Sequence, residues 1–129
     1  VGLAEAQTVT AVYPGAIRTF YRFSGRRFSG CNLFLAQGNG AGRVAAYWQR
    51  MERYRKRPLR LVWEIGPLAL LRMLLGLLTL EGAFQHVSKL TGTRIRPVLL
   101  PFAEAPIDVD KPADYELVSE ILRRREGAA

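Results

Sequence analysis

The residues best suited to chemistry lie near the end of the chain, in the acid-rich segment 107–114. Asp108 and Asp110 are two positions apart, and in an extended segment residues at that spacing point to the same side. Magnesium prefers oxygen ligands and often takes one or two carboxylates together with substrate phosphates. We therefore interpret Asp108 and Asp110 as candidate Mg²⁺ ligands.

The same acids also fit a structural role at a helix start. Pro112 is tolerated in the first turn of a helix, so the sequence predicts that the last helix begins there. Asp114 then lies in that first turn, where a carboxylate can accept bonds from free backbone N–H groups. For Asp110, helix capping and metal binding are both open. Asp108 comes too early to cap, which favours the ligand interpretation.

A second candidate surface lies in residues 18–32, where arginines alternate with aromatic side chains. Such interleaving is common on surfaces that bind single-stranded nucleic acid. The simpler alternative places the aromatic side chains in a strand core and the glycines in turns. Glycines beside arginines also let a backbone approach a phosphate. The candidates for nucleotide or phosphate binding in this stretch are Arg26, Arg27 and Gly30.

Composition limits the classes of site. The 129 residues suit one domain, and with one cysteine and one histidine the chain can form neither an internal disulfide nor a two-histidine metal motif. The net charge of +8 resides in residues 1–65, with eleven basic and three acidic groups, whereas residues 66–129 hold eight of each. This asymmetry indicates an anionic partner, although an arginine-rich composition explains part of it.

Two further stretches bear on partners. The basic run 53–60 includes Lys56. It is either a solvated helix face or a set of positive charges that attract a phosphate-bearing ligand to an adjacent cleft. Residues 66–80 are largely apolar, but a membrane span needs about 20 apolar residues. We therefore expect a buried helix there, with attachment to a membrane surface as the alternative. The first residues lack a signal-peptide pattern, so we expect a cytoplasmic protein.

The pattern of elements predicts an α/β protein. Residues 1–12 are typical of a helix end. Strands are expected at 18–23, 26–28, 32–36 and 94–100, with a short extended piece at 107–110. Helices are expected at 43–57, from Pro58, at 68–80, at 81–90 before Gly92, and from Pro112. Helix 43–57 has one apolar face, and its arginines fall on the other side.

These motifs resemble a known family. Residues 107–118, Ile-Asp-Val-Asp-Lys-Pro-Ala-Asp-Tyr-Glu-Leu-Val, resemble the closing signature of MobA-like nucleotidyltransferases. Residues 18–25 and 28–35 are similar to the mid-chain hairpin of that family, which typically closes on Gly-Gly-Asn. The pair Arg55-Lys56 before Pro58 lies where relatives often carry a basic pair. The resemblance covers about residues 12–125.

The resemblance implies the C-terminal part of a Rossmann-like nucleotidyltransferase fold, with short strands and several helices. Such enzymes use Mg²⁺ to transfer a nucleotidyl group from an NTP to a phosphorylated small-molecule acceptor. Asp108 matches the late metal-binding aspartate, with Asp110 second, and Gly30 and Asn32 would lie beside the nucleotide or acceptor. Cys31 replaces the usual second glycine, which puts close backbone approach there in doubt.

Two parts of the family's site have no counterpart in this chain. They are the N-terminal glycine-rich loop that binds the triphosphate and the earlier metal aspartate. We expect either a portion of a longer protein or a degenerate relative, forming a single or partial domain over 1–129 and inactive alone. The alternatives are a non-enzymatic basic module that binds nucleic acid or anionic surfaces, without sequence selectivity, and a self-associating structural module. A chain without its sheet neighbours is also expected to form a homo-oligomer.

Overall fold

The computed structural model describes residues 1–16, 18–54 and 56–127. Within these residues the strands are β1 (Gly2–Glu5), β2 (Tyr21–Phe23), β3 (Arg26–Gly30) and β4 (Val98–Leu99). The helices are α1 (Ala6–Val12), α2 (Ala41–Tyr54), α3 (Pro58–Ile65), α4 (Pro67–Leu74), α5 (Leu80–Thr91) and α6 (Pro112–Gly127). This small set of strands with several helices agrees with the predicted α/β class.

The sheet is mixed, with the order β2-β3-β1-β4. β1 pairs antiparallel with β3, where Leu3 lies opposite Gly30, and parallel with β4, where Leu3 lies opposite Leu99. β2 and β3 form the antiparallel hairpin expected from the turn at Ser24 and Gly25. β1 is therefore the inner strand on which both halves of the chain meet.

The core lies where β1 and α1 pack together. Ala4 and Val9 are completely buried, Cys31 is nearly so, and Phe20 and Leu100 pack against them. Burial raises the pKa of the Cys31 thiol, so this cysteine acts as a small apolar side chain rather than as a nucleophile.

The N-terminal prediction was wrong in its first half. Residues 2–5 form a strand and the helix begins only at Ala6, whereas the sequence predicted a helix end through residues 1–12. Glycine and alanine have low strand propensity, so the local signal for β1 is weak. β1 is instead stabilised by hydrogen bonds to β3 and β4 on its two sides.

The strand expected at 32–36 is absent from the described residues. Asn32 adopts a left-handed φ of 52°, a conformation that interrupts an extended chain and that asparagine tolerates well. The backbone nevertheless stays beside β1, because Gly2 N–H donates to the Leu33 carbonyl at 2.8 Å. The prediction failed because the apolar residues of 32–36 are typical of a strand, whereas the turn at Asn32 leaves no local pattern that identifies it.

Other predicted elements are shorter than expected. The strand at 94–100 is reduced to Val98–Leu99, where it meets the short β1, and the strand at 18–23 is reduced to Tyr21–Phe23. The piece 107–110 is not a strand in the described structure. The helix expected over 68–80 ends at Leu74, and Gly76 follows with a φ of 68°. A left-handed glycine of this kind ends a helix.

The breaks predicted by proline and glycine are confirmed. Pro58 and Pro67 begin α3 and α4, and Gly66 between them has a φ of 99° that favours glycine. Gly92 ends α5 in the left-handed conformation, and Thr79 caps its start by accepting from Gly82 N–H at 3.0 Å.

The expectation of a buried helix at 66–80 was wrong for α4, and α2 and α3 are no more buried. None of their described residues is buried, and Trp48 and Leu74 are 65% and 85% exposed. Over the part of the chain that the structure describes, no element covers their outer sides. No helix there has both the length and the apolarity to cross a membrane.

We predict that Val9→Ala lowers the free energy of unfolding by about 2 kcal/mol, because it leaves a cavity under β1. Val12→Ala on the same helix is the matched control, since Val12 is 55% exposed. Urea titration followed by circular dichroism measures both. Equal losses in the two variants would mean that Val9 is not part of the core.

Candidate active site

A buried arginine organises the predicted acidic cluster. Arg18 lies between α1 and β2, and its side chain is only 9% exposed. Its guanidinium donates to the Asp108 carboxylate, to the Asp108 carbonyl oxygen at 2.9 Å and to Asp114 Oδ1 at 3.1 Å. A buried cation requires such partners. Arg18 therefore fixes the loop before α6 against the segment that leads into the hairpin.

Asp114 holds the start of α6 as predicted. Its Oδ2 accepts from Lys111 N–H at 2.9 Å and from Asp110 N–H at 3.2 Å. Because Asp114 is the third residue of the helix, its carboxylate reaches back to the N-terminal N–H groups, as an acid at that position does in a capping box. Asp114 rather than Asp110 performs the capping, so the Asp110 side chain is left for another role.

Asp108 and Asn32 come together although 76 residues separate them. Asn32 Nδ2 donates to Asp108 Oδ2 at 3.1 Å. The left-handed backbone at Asn32 lies directly after β3, so the end of this strand presents an amide to the acidic loop. The Asp108 carboxylate is held by Arg18 on one oxygen and by Asn32 on the other.

These residues line a cavity of about 810 Å³. Four of the predicted site residues border it, namely Gly30, Asn32, Asp108 and Asp110. Arg18 and Lys111 also line it, and Trp48 on α2 contributes to its wall. Its volume lies in the usual range for small-molecule sites.

The other three predicted site residues do not line this cavity. Arg26 donates to Glu5 at 2.8 and 2.9 Å, which lowers the pKa of the Glu5 carboxyl, and its guanidinium lies 5.1 Å from the centre of the Phe28 ring. Arg27 lies 5.9 Å from the centre of the Phe20 ring. Lys56 is exposed between α2 and α3, and its predicted companion Arg55 lies outside the described residues.

One side of the cavity is tied together by a chain of polar contacts. Tyr13 lines the cavity at the end of α1, and its hydroxyl donates to Glu104 Oε1 at 3.3 Å. Arg125 on α6 pairs with the same carboxylate at 3.2 Å. Burial raises the pKa of the Tyr13 hydroxyl, while a backbone hydrogen bond and Arg125 lower that of Glu104. Tyr13 therefore stays neutral at ordinary pH.

The charges around the cavity are nearly balanced. Four acids line it, namely Asp108, Asp110, Asp114 and Glu120, and three bases line it, namely Arg18, Lys111 and Arg124. Each carboxylate oxygen of Asp108 has a further lone pair, and its side chain is 42% exposed. Within the described residues no group of three or more His, Cys, Asp or Glu side chains could hold a metal ion. If Asp108 and Asp110 bound Mg²⁺, phosphate oxygens and water would have to supply the other ligands.

The comparisons with known proteins bear on the fold. A solved structure of a hypothetical transferase from Thermus thermophilus is similar to this chain. The two share 30% sequence identity with a TM-score of 0.77, over 88% of this chain and 49% of the other. The chain therefore spans about half the length of that neighbour. No family model and no curated protein matches the sequence.

Sequence reasoning missed the residues that hold the site in place. In the sequence, Arg18 is one of several arginines among aromatic residues, and Lys111 is part of the acidic motif. The partner of Arg18 lies 90 residues away, and a distance of that kind leaves no local pattern. A signal that was available is the arginine's position just before a strand of aromatic residues, where burial is expected.

We predict that Arg18→Met lowers the free energy of unfolding by about 3 kcal/mol, because it leaves the nearly buried Asp114 without its cation. Arg18→Lys should recover part of this loss, since it keeps the charge but not the forked geometry. Arg26→Met, which breaks the exposed pair with Glu5, is the control and should cost much less. Urea unfolding of the three variants measures this. A loss no larger for Arg18→Met than for Arg26→Met would contradict the anchoring role.

Proposed function

We propose that this chain contributes the metal- and acceptor-binding part of a nucleotidyltransferase site. The reaction transfers a nucleotidyl group from an NTP to a phosphorylated small molecule and releases pyrophosphate. Similarity to a hypothetical transferase supports the transferase class. The resemblance of residues 107–118 to the MobA-like closing signature supports the finer assignment.

The observation that carries the proposal is the constrained Asp108. Arg18 and Asn32 hold both of its carboxylate oxygens at the wall of the cavity, and Asp110 borders the same space. A carboxylate held in this way is pre-organised to bind a cation at a defined place. Phosphoryl chemistry needs such placement more than it needs covalent participation by the protein.

The remaining residues suit a phosphorylated ligand. Bound Mg²⁺ would be held by Asp108 and Asp110 and would offset the negative charge of phosphate oxygens. Lys111 lines the cavity beside them and is suited to bind phosphate as a point charge. Gly30 has no side chain to block its stretch of cavity wall, and Asn32 has a carbonyl oxygen for a ligand hydroxyl. The glycine-rich loop that binds the triphosphate in MobA-like nucleotidyltransferases has no counterpart in this sequence.

The first test is metal binding, which does not require turnover. We predict that the chain binds Mn²⁺ weakly and that a nucleoside triphosphate strengthens the binding, because phosphate oxygens complete the ligand set. Titration followed by the electron paramagnetic resonance signal of free Mn²⁺ measures this. Asp110→Asn should weaken the binding at least tenfold, because it removes a charged ligand that has no structural role.

Glu116→Gln is the matched control for this titration. Glu116 is exposed on α6 and does not border the cavity. The substitution Glu116→Gln removes one negative charge, as Asp110→Asn does. Equal Mn²⁺ affinity in Asp110→Asn and Glu116→Gln would remove Asp110 from the site.

The second test concerns turnover in a protein that carries this chain with the rest of a nucleotidyltransferase site. Asp108→Asn should lower turnover about a thousandfold or more, because a charged ligand of the catalytic cation is lost. Pyrophosphate release from each NTP in the presence of sugar phosphates is the readout. The Asn side chain keeps a carbonyl oxygen toward Arg18, so circular dichroism should remain unchanged. Near-normal turnover with intact fold would exclude Asp108 from the mechanism.

A further inference from the structure

The segment formed by α3 and α4 carries an unusual number of exposed apolar side chains. Neither helix has a buried residue, and Trp63 and Leu74 are 77% and 85% exposed. Five large apolar side chains of the two helices are exposed in this way, namely Leu59, Trp63, Leu68, Leu71 and Leu74, and Leu75 directly after α4 is exposed as well. Scattered apolar side chains are normal on a surface, but a concentration of this size indicates a binding surface.

This segment is attached to the rest of the molecule on its inner side. The ring of His86 on α5 bonds to the Ile65 carbonyl at the end of α3, and Arg50 on α2 lies 3.6 Å from Glu64. Leu61 and Val62 are half-buried, in contrast to Leu59 and Trp63 on the same helix. α3 is thus held by one side while Leu59 and Trp63 face outward, and α4 packs against α3.

Positive charge borders the same segment. Residues 53–75 contain six basic residues and one acid, Glu64. The four described basic residues at the start of this range are all exposed, namely Arg53, Lys56, Arg57 and Arg60, and Arg60 lies over the Tyr54 ring at 5.4 Å. Glu64 pairs with Arg50 on α2, so basic residues outnumber acids in this range.

We propose that the α3–α4 segment docks on the surface of an anionic lipid bilayer. Helices of eight residues are about 12 Å long, so they lie in the plane of the interface with leucines among the acyl chains. Lysine and arginine then meet the lipid phosphates, and Trp63 lies at the headgroup level that tryptophan prefers. This inference does not depend on the metal site.

The charge of this segment fits a bilayer surface. A leucine- and tryptophan-bearing surface bordered by basic residues is typical of interfacial helices. The charge selects the kind of lipid, because a cluster of basic residues binds anionic headgroups in preference to zwitterionic ones.

The test uses Trp63 as a reporter. The chain has two tryptophans, so Trp48→Phe leaves Trp63 alone. Vesicles of phosphatidylcholine mixed with phosphatidylglycerol should shift the Trp63 emission to the blue, and lipids brominated in their acyl chains should quench it. Flotation with the vesicles should fall as salt is raised. Vesicles of phosphatidylcholine alone should bind at least tenfold more weakly.

Matched variants separate the contribution of the apolar side chains from that of the positive charge. Leu71→Gln should weaken vesicle binding at least tenfold, while Leu122→Gln on α6, at nearly the same exposure of 52% against 51%, should leave it unchanged. Lys56→Gln should weaken binding about fivefold, while Lys89→Gln on α5 should not. Circular dichroism checks that all four variants are folded.

Three results would overturn the proposal. The first is an absence of Trp63 emission shift and of flotation with anionic vesicles. The second is equal weakening by Leu71→Gln and Leu122→Gln. The third is a lipid-free dimer in sedimentation whose Trp63 is already protected from a soluble quencher, because a second copy of the chain would then cover this surface.

Discussion

The structure depends on one buried charge. The Arg18 guanidinium cannot be placed in the interior unless carboxylates accompany it, and Asp108 and Asp114 lie 90 and 96 residues further along the chain. Satisfying this cation therefore fixes the start of the last helix against the strand segment near the N-terminus. The same requirement brings Asp108 to the amide of Asn32 and sets the wall of the cavity. Structural stability and the geometry of the candidate site thus have a common origin.

The molecule is divided between a well-packed part and an open part. Ala4 and Val9 are fully buried between β1 and α1, where small side chains allow the elements to approach closely. Helices α2 to α4 instead present their apolar residues outward, with His86 as one of the attachments to the packed part. The hydrophobic content of the sequence is therefore not a measure of its core. Many of the large apolar side chains lie on the surface.

Local signals in the sequence predicted the local features of the structure. Pro58, Gly66 and Gly92 mark helix boundaries because their backbone preferences act within one or two residues. The sequence also grouped Asp108 and Asp110, which are two positions apart, and the resemblance named Asn32, which lines the same cavity; a ligand beside Asn32 stays a prediction. The anchoring by Arg18 and the strand β1 could not be predicted in this way, because both depend on partners many residues away. The burial of the helix at 66–80 was predicted wrongly for a related reason, since an apolar pattern does not identify what covers it.

The parallel pairing of β1 with β4 has a consequence for how the chain folds. Gly2 lies opposite Val98, so this pair of strands forms only when a loop of more than ninety residues has closed. Loop closure of that length costs entropy before any contact repays it, and pairings of high contact order slow folding. The β2–β3 hairpin and its pairing with β1 involve only the first thirty residues. During synthesis β1 can therefore join this hairpin early, while its other edge stays unpaired until Val98 and Leu99 have left the ribosome.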